Sequence, residues 1–132
     1  MAYPCAMESL RSPTLRTACV LATCCALLGA AVAADDAAWP VAGQQGLMRF
    51  VIVPPGQERD RAAYEREIQR LCEPDRTCFL NFYTNSTGAP VAVPLPDSID
   101  REATATFRRS TKQGAERFMW SCRLQQVTNT CF

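Results

Sequence analysis

The sequence contains no histidine, so it lacks the side chain that most often acts as a general base and as a metal ligand. No Gly-x-Ser-x-Gly, P-loop or glycine-rich dinucleotide turn occurs either. Acid–base chemistry would therefore rest on carboxylates alone, and the candidates are Glu65, Glu67, Asp97, Asp100 and Glu102. We expect the first two on the outer face of a helix and the others at a helix N-terminus, where acids complement the dipole. The pattern predicts that the chain is not an enzyme, with a carboxylate-based hydrolase as an alternative.

Cysteine spacing gives the clearest chemical prediction. Downstream of residue 33 there are four cysteines, and they match neither the usual zinc templates nor a Cys-x-x-Cys redox motif. We therefore predict no metal site and no cofactor. An even count in a small exported domain predicts two disulfides. We favour the pairs Cys72–Cys78 and Cys122–Cys131 because each closes a short loop, and the crossed pairings stay open.

Export is indicated by the first third of the chain. Arg11 and Arg16 precede the uncharged run 17–34, and residues 31–33 read Ala-Val-Ala, which is the order of a secretory signal peptide. We predict that residues 1–33 are cleaved and that the mature protein is periplasmic or secreted. An uncleaved anchor and a lipid anchor at Cys24 are the less favoured alternatives.

Removal of this signal changes the charge of the chain. The 14 basic and 13 acidic residues of the whole chain lose Arg11, Arg16 and Glu8, which leaves 12 of each. A neutral domain has no general attraction for nucleic acid or for an anionic membrane. We therefore expect no nucleic-acid partner and, after cleavage, no membrane span.

Two groups of residues could bind a partner. A basic strip is expected on a second helix, where it either complements the helix dipole as a solvated face, which we favour, or docks an acidic partner or a lipid headgroup. Phe79 and Tyr83 could lie on an open sheet face suited to protein recognition, or beneath a second helix. The strip consists of Arg101, Arg108, Arg109 and Lys112.

The elements that would position these residues predict a small α+β domain. We expect a flexible lead-in over 34–46 and a single disulfide-stapled domain over 47–132, in the order β-α-β-(extended arm)-α-β. Its mixed sheet would have three to four strands, with the first strand central. The predicted elements are strands at 47–53, 78–84 and 116–124, helices at 58–72 and 97–111, and an arm at 89–96 with a short edge strand at 91–93.

Together these features predict a non-enzymatic module of the bacterial envelope that acts by contact with an unknown protein partner. A binder of a small anionic ligand or of the envelope surface is the second interpretation.

Overall fold

The structure is a computed structural model that describes residues 37–132. The predicted signal peptide and Cys24 lie outside the described residues. The described part is a small α+β fold with a five-stranded mixed sheet, two helices and two disulfides. Its elements are β1 Val41–Gln45, β2 Met48–Ile52, α1 Arg61–Leu71, β3 Cys78–Tyr83, α2 Asp97–Asp100, β4 Ala103–Ser110, β5 Ala115–Trp120 and a 3-10 turn at Cys122–Leu124.

The strands follow one another across the sheet in chain order, β1 to β5. β2 and β3 are parallel and are joined through α1, whereas the other neighbours are antiparallel. The prediction of three to four strands with the first strand central was wrong, because β1 and β4 were not recognised and β3 is the central strand.

One face of the sheet packs against α1. Asp60 caps this helix by accepting a hydrogen bond from the backbone N–H of Ala63. Tyr64 and Ile68 are buried on its inner side. They meet a core contributed by successive inward positions of the strands: Val51, Leu80, Phe82, Ala105 and Phe107. Tyr64 lies at the centre, and burial raises the pKa of its hydroxyl.

Residues 37–46, the described part of the segment predicted as a flexible lead-in, contain the strand β1 and one core residue, Trp39. Trp39 is only 3% exposed, and its ring meets Tyr64 edge-on at 4.9 Å. The buried Glu67 carboxylate accepts the Trp39 backbone N–H at 3.2 Å, and Arg70 donates to the Trp39 carbonyl oxygen at 3.1 Å. Glu67 is therefore a structural clamp and does not lie on an outer helix face as expected.

The second helix is much shorter than predicted. Only residues 97–100 are helical, and β4 occupies most of the predicted range 97–111. Ala105 and Phe107 face α1, whereas Thr106 between them faces away, which is the two-residue period of a strand. Pairing on both sides, with β3 and β5, outweighs the helical spacing that Ala103 and Phe107 also satisfy. Gly114 lies in the β4–β5 turn with φ 59°, a backbone conformation that favours glycine.

The arm at 89–96 forms no strand, so the predicted edge strand at 91–93 is absent from the described chain. The arm passes beside β1, where Val93 packs against Gly43. A Cβ atom at position 43 would overlap the Val93 side chain.

Both favoured disulfides are present. Cys72–Cys78 ties the end of α1 to the start of β3, and Cys122–Cys131 holds the tail against Trp120.

Candidate functional site

The sheet face that points away from α1, here called the second face, carries two rows of side chains. Strand register places the members of each row side by side on β2, β3, β4 and β5. The rows are Met48, Phe79, Arg108 and Arg117, and then Phe50, Asn81, Thr106 and Met119. Each row therefore runs from apolar residues on β2 towards more polar ones on β4.

Arg108 lies in the middle of this face and is half-buried. Its Nη2 donates to Asn81 Oδ1 at 2.7 Å, and its Nη1 donates to the carbonyl oxygens of Leu80 and Phe107, each at 2.8 Å. The guanidinium carbon lies 5.8 Å from the centre of the Phe79 ring. Burial lowers the pKa of Arg108. The guanidinium group nevertheless keeps its charge, because arginine is not deprotonated in proteins. All its described hydrogen-bond acceptors are uncharged.

Asn81 connects this arginine to Tyr83. Its amide Nδ2 donates to the Tyr83 hydroxyl at 3.1 Å while its Oδ1 accepts from Arg108. Tyr83 is buried, its ring is 6.2 Å from that of Phe50, and burial raises the pKa of its hydroxyl. The polar chain from Tyr83 to Arg108 thus holds the arginine in one place and orientation.

Arg117 is the cross-strand neighbour of Arg108 on β5. It is exposed, and no hydrogen bond or ion pair involves its side chain within residues 37–132. Two like charges side by side on one sheet face destabilise the pairing. The second face therefore has a local excess of positive charge at its β4–β5 side.

The arm covers the other side of the second face. A cavity of about 470 Å³ remains between the arm and the sheet, and Met48, Phe50, Tyr83 and Leu95 are among the residues that line it. The arm thus partly covers the apolar β2 side of the second face. On the other side Phe79, Arg108 and Met119 are half-buried, and Arg117 is exposed to solvent.

The predicted basic strip does not form, because its residues do not share a helix: Arg108 and Arg109 alternate along β4, and the other two lie outside that strand. Arg109 lies on the α1 side, where it pairs with Glu116 at 2.8 Å. Arg101 follows α2 and donates to the Asp97 carbonyl oxygen at 3.1 Å, while Lys112 lies in the β4–β5 turn. Arg108 lies on the second face, beside Phe79 and connected to Tyr83 through the side chain of Asn81.

Sequence reasoning missed Asn81 and Arg117 as members of this site. Arg117 and Met119 lie two residues apart in the predicted strand 116–124, so strand geometry places them on one face. What was missing was β4, because its assignment as a helix removed the strand that brings Arg108 and Arg117 together.

A separate groove of about 860 Å³ follows the carboxyl ends of β2 and β3. Glu102, one of the candidate carboxylates, lines it, as does Glu58, which was not among the candidates. The Glu102 carboxylate, however, accepts hydrogen bonds from the backbone N–H of Ser86 at 2.8 Å and from the Ser86 hydroxyl. These bonds lower the pKa of Glu102, so it is ionised at neutral pH and poorly suited to donate a proton. Acid–base catalysis by two carboxylates needs one carboxyl group with a raised pKa, and Glu102 is not such a group.

The other candidate carboxylates are dispersed. Glu65 pairs with Arg61 at 2.9 Å on the surface, and Glu67 is the clamp on Trp39. Asp97 and Asp100 both belong to α2. In the described part of the chain, no group of three cysteine or acidic side chains is placed to hold a metal ion.

Comparison of the chain with protein-family models, with curated proteins and with solved structures finds no match. No helix within residues 37–132 is long and apolar enough to cross a bilayer. The two disulfides are consistent with an oxidising extracellular compartment.

Proposed function

We propose that this protein is a non-enzymatic binding module, exported to the bacterial periplasm or secreted, that acts by contact with another protein through its second face. The observation that carries the proposal is the composition of the open part of this face, where Phe79 and Met119 lie beside Arg108 and Arg117. Aromatic residues, methionine and arginine are the side chains enriched in the cores of protein interfaces.

Rigidity supports the same proposal. Arg108 is held by three hydrogen bonds, and Phe79 belongs to the central strand of the sheet. Side chains that are already ordered lose less conformational entropy on association, so they contribute more to affinity. A preorganised aromatic and cationic surface on a strand scaffold suits recognition of a macromolecule.

The export signal and the two disulfides support the location. Residues 17–34 have the composition of a signal sequence, and both predicted disulfides form. Disulfides persist in the periplasm and outside the cell. An accessory role in the cell envelope follows from these features together with the binding surface.

Site-specific photocrosslinking in the cells that naturally express the protein tests the proposal. A photoreactive phenylalanine analogue replaces Met119 or Thr106 on the second face, and Ala62 on the exposed side of α1 serves as the matched control. We expect both second-face positions to yield the same covalent protein adduct and Ala62 to yield none. The proposal fails if the second-face positions yield no adduct, or if Ala62 yields the same adduct.

A further inference from the structure

In the β4–β5 hairpin, the adjacent residues Arg108 and Arg109 have cross-strand neighbours of opposite charge. On the α1 face, Arg109 lies opposite Glu116 and forms a 2.8 Å ion pair with it. One residue earlier, on the second face, Arg108 lies opposite Arg117. The charge of Arg109 is thus neutralised by Glu116, whereas the charge of Arg108 lies beside the second positive charge of Arg117.

Arg108 forms its described hydrogen bonds with uncharged groups alone. The Arg108 guanidinium is half-buried and donates only to an amide oxygen and two carbonyl oxygens. A partly buried charge is costly unless an opposite charge compensates it. Neither Arg108 nor Arg117 forms an ion pair with a carboxylate in the described part of the chain. An external anion between them would supply the missing compensation.

Guanidinium groups favour planar anions with two oxygens, which they bind through parallel hydrogen bonds. A free phosphate would satisfy the charge but would leave the neighbouring Phe79 and Met119 without a partner. A peptide segment can present a carboxylate and an apolar side chain together. The mixed apolar and basic character of the face therefore favours an acidic peptide over a simple ion.

Strand geometry sets the spacing of such a peptide. The space between Arg108 on β4 and Arg117 on β5 lies one and a half strand spacings from Phe79 on β3, which is about 7 Å. In an extended peptide, side chains two positions apart point the same way and are also about 7 Å apart. An acidic residue and an apolar residue separated by one position match both features of the surface.

We infer that the second face binds an extended segment of its protein partner with the pattern acidic-x-apolar, in either chain direction. The carboxylate lies between Arg108 and Arg117, and the apolar side chain packs on Phe79. This inference rests on the proposed function and names the chemistry of the partner.

Selection from a phage-displayed library of random nine-residue peptides, with the full mature protein as target, tests it. We expect enrichment of peptides with Asp or Glu two positions from a Leu, Phe or Met. A synthetic peptide of the enriched sequence should perturb NMR signals of the second face, including the Nε–Hε signals of Arg108 and Arg117. Replacement of its acidic residue by the corresponding amide should weaken binding at least about tenfold.

Variants of the exposed arginine separate charge from folding. Arg117→Glu should weaken the acidic peptide at least about tenfold, and Arg117→Lys should retain part of the affinity because it keeps the charge but not the guanidinium fork. Lys112→Glu makes the same charge change in the nearby turn and should leave the dissociation constant within about twofold. Unchanged melting temperatures establish that the variants are folded.

Several results would overturn the inference: selection without a consensus, a consensus that lacks an acid, or equal binding of the acid and amide peptides. Equal perturbation of the second face by inorganic phosphate, or by phosphatidylglycerol vesicles, would assign the arginine pair to another anion. If Met119 crosslinks a protein while peptide charge has no effect, the acidic pattern fails and the proposed function stands. If the peptide binds as expected but no crosslink forms in cells, the proposed function fails instead.

Discussion

Truncation of Trp39 to alanine should remove a large part of the stability of the domain, even though the residue precedes all the strands and helices that the structure describes. The indole is 3% exposed, meets Tyr64 and Phe82 edge-on, and donates from Nε1 to Gln57 at 3.1 Å. Burial of an aromatic side chain removes about 150–250 Å² from water, which at about 25 cal/mol per Å² is about 4–6 kcal/mol. Measured Trp→Ala costs in cores are about 3–5 kcal/mol, in agreement with this value.

That loss is large beside the total, because domains of this size have unfolding free energies of about 5–15 kcal/mol. The melting temperature should fall by at least about 12 °C. Urea unfolding followed by far-ultraviolet circular dichroism measures the free-energy change directly. Trp39→Phe should be intermediate, because it keeps a ring in the core but loses the bond to Gln57.

Leu47→Ala is the matched control, since it also truncates a large apolar side chain near the N-terminal end of the domain. Leu47 is 63% exposed, so its loss should change the unfolding free energy by less than about 0.5 kcal/mol. The packing argument is refuted if Trp39→Ala costs no more than Leu47→Ala. That result would mean that the segment before β1 is a loose lead-in after all.

Two further predictions concern the groove and the tail. Hydrogen bonds from Ser86 lower the pKa of Glu102, so their stabilisation is present above the ordinary carboxyl pKa and is lost as the pH falls through the folded-state value. Thermal melts between about pH 2 and pH 7 should therefore show a shallower acid limb in Glu102→Gln, and parallel curves for variant and parent would contradict this. Replacement of both Cys122 and Cys131 by serine should cost about 2–3 kcal/mol and speed hydrogen exchange at the Phe132 amide, which donates to the Trp120 carbonyl oxygen. Unchanged exchange at Phe132 would show that the tail is held without the disulfide.

Local pattern was sufficient for the elements that carry strong periodicity. α1 has its apolar residues at helical spacing, and β3 lies within the predicted strand 78–84. β5 overlaps the predicted strand 116–124 as far as Trp120, after which residues 122–124 form a 3-10 turn. The pairing of the cysteines followed from loop length. In each case the determining interactions are close in sequence, so the residues themselves contain the information.

β1 shows why other elements were missed. Its sequence is small and polar, with no periodic apolar signal, and it becomes a strand because β2 lies beside it. The two strands are joined by Gly46-Leu47, where Gly46 has φ 60°. A two-residue turn that begins with glycine is a hairpin signal, and it was the one local indication of β1.

The sequence by itself determined the charge balance, the even count of cysteines and the central strand–helix–strand unit, and short loops favoured the disulfide pairs that form. The tertiary structure alone decided that residues 103–110 form a strand, because their helical and strand periodicities are both acceptable and pairing with β3 and β5 selects one. That choice sends Arg108 and Arg109 to opposite faces. It also places Arg117, distant in sequence from Phe79 and Tyr83, on the face they share, and cross-strand register is the physical reason.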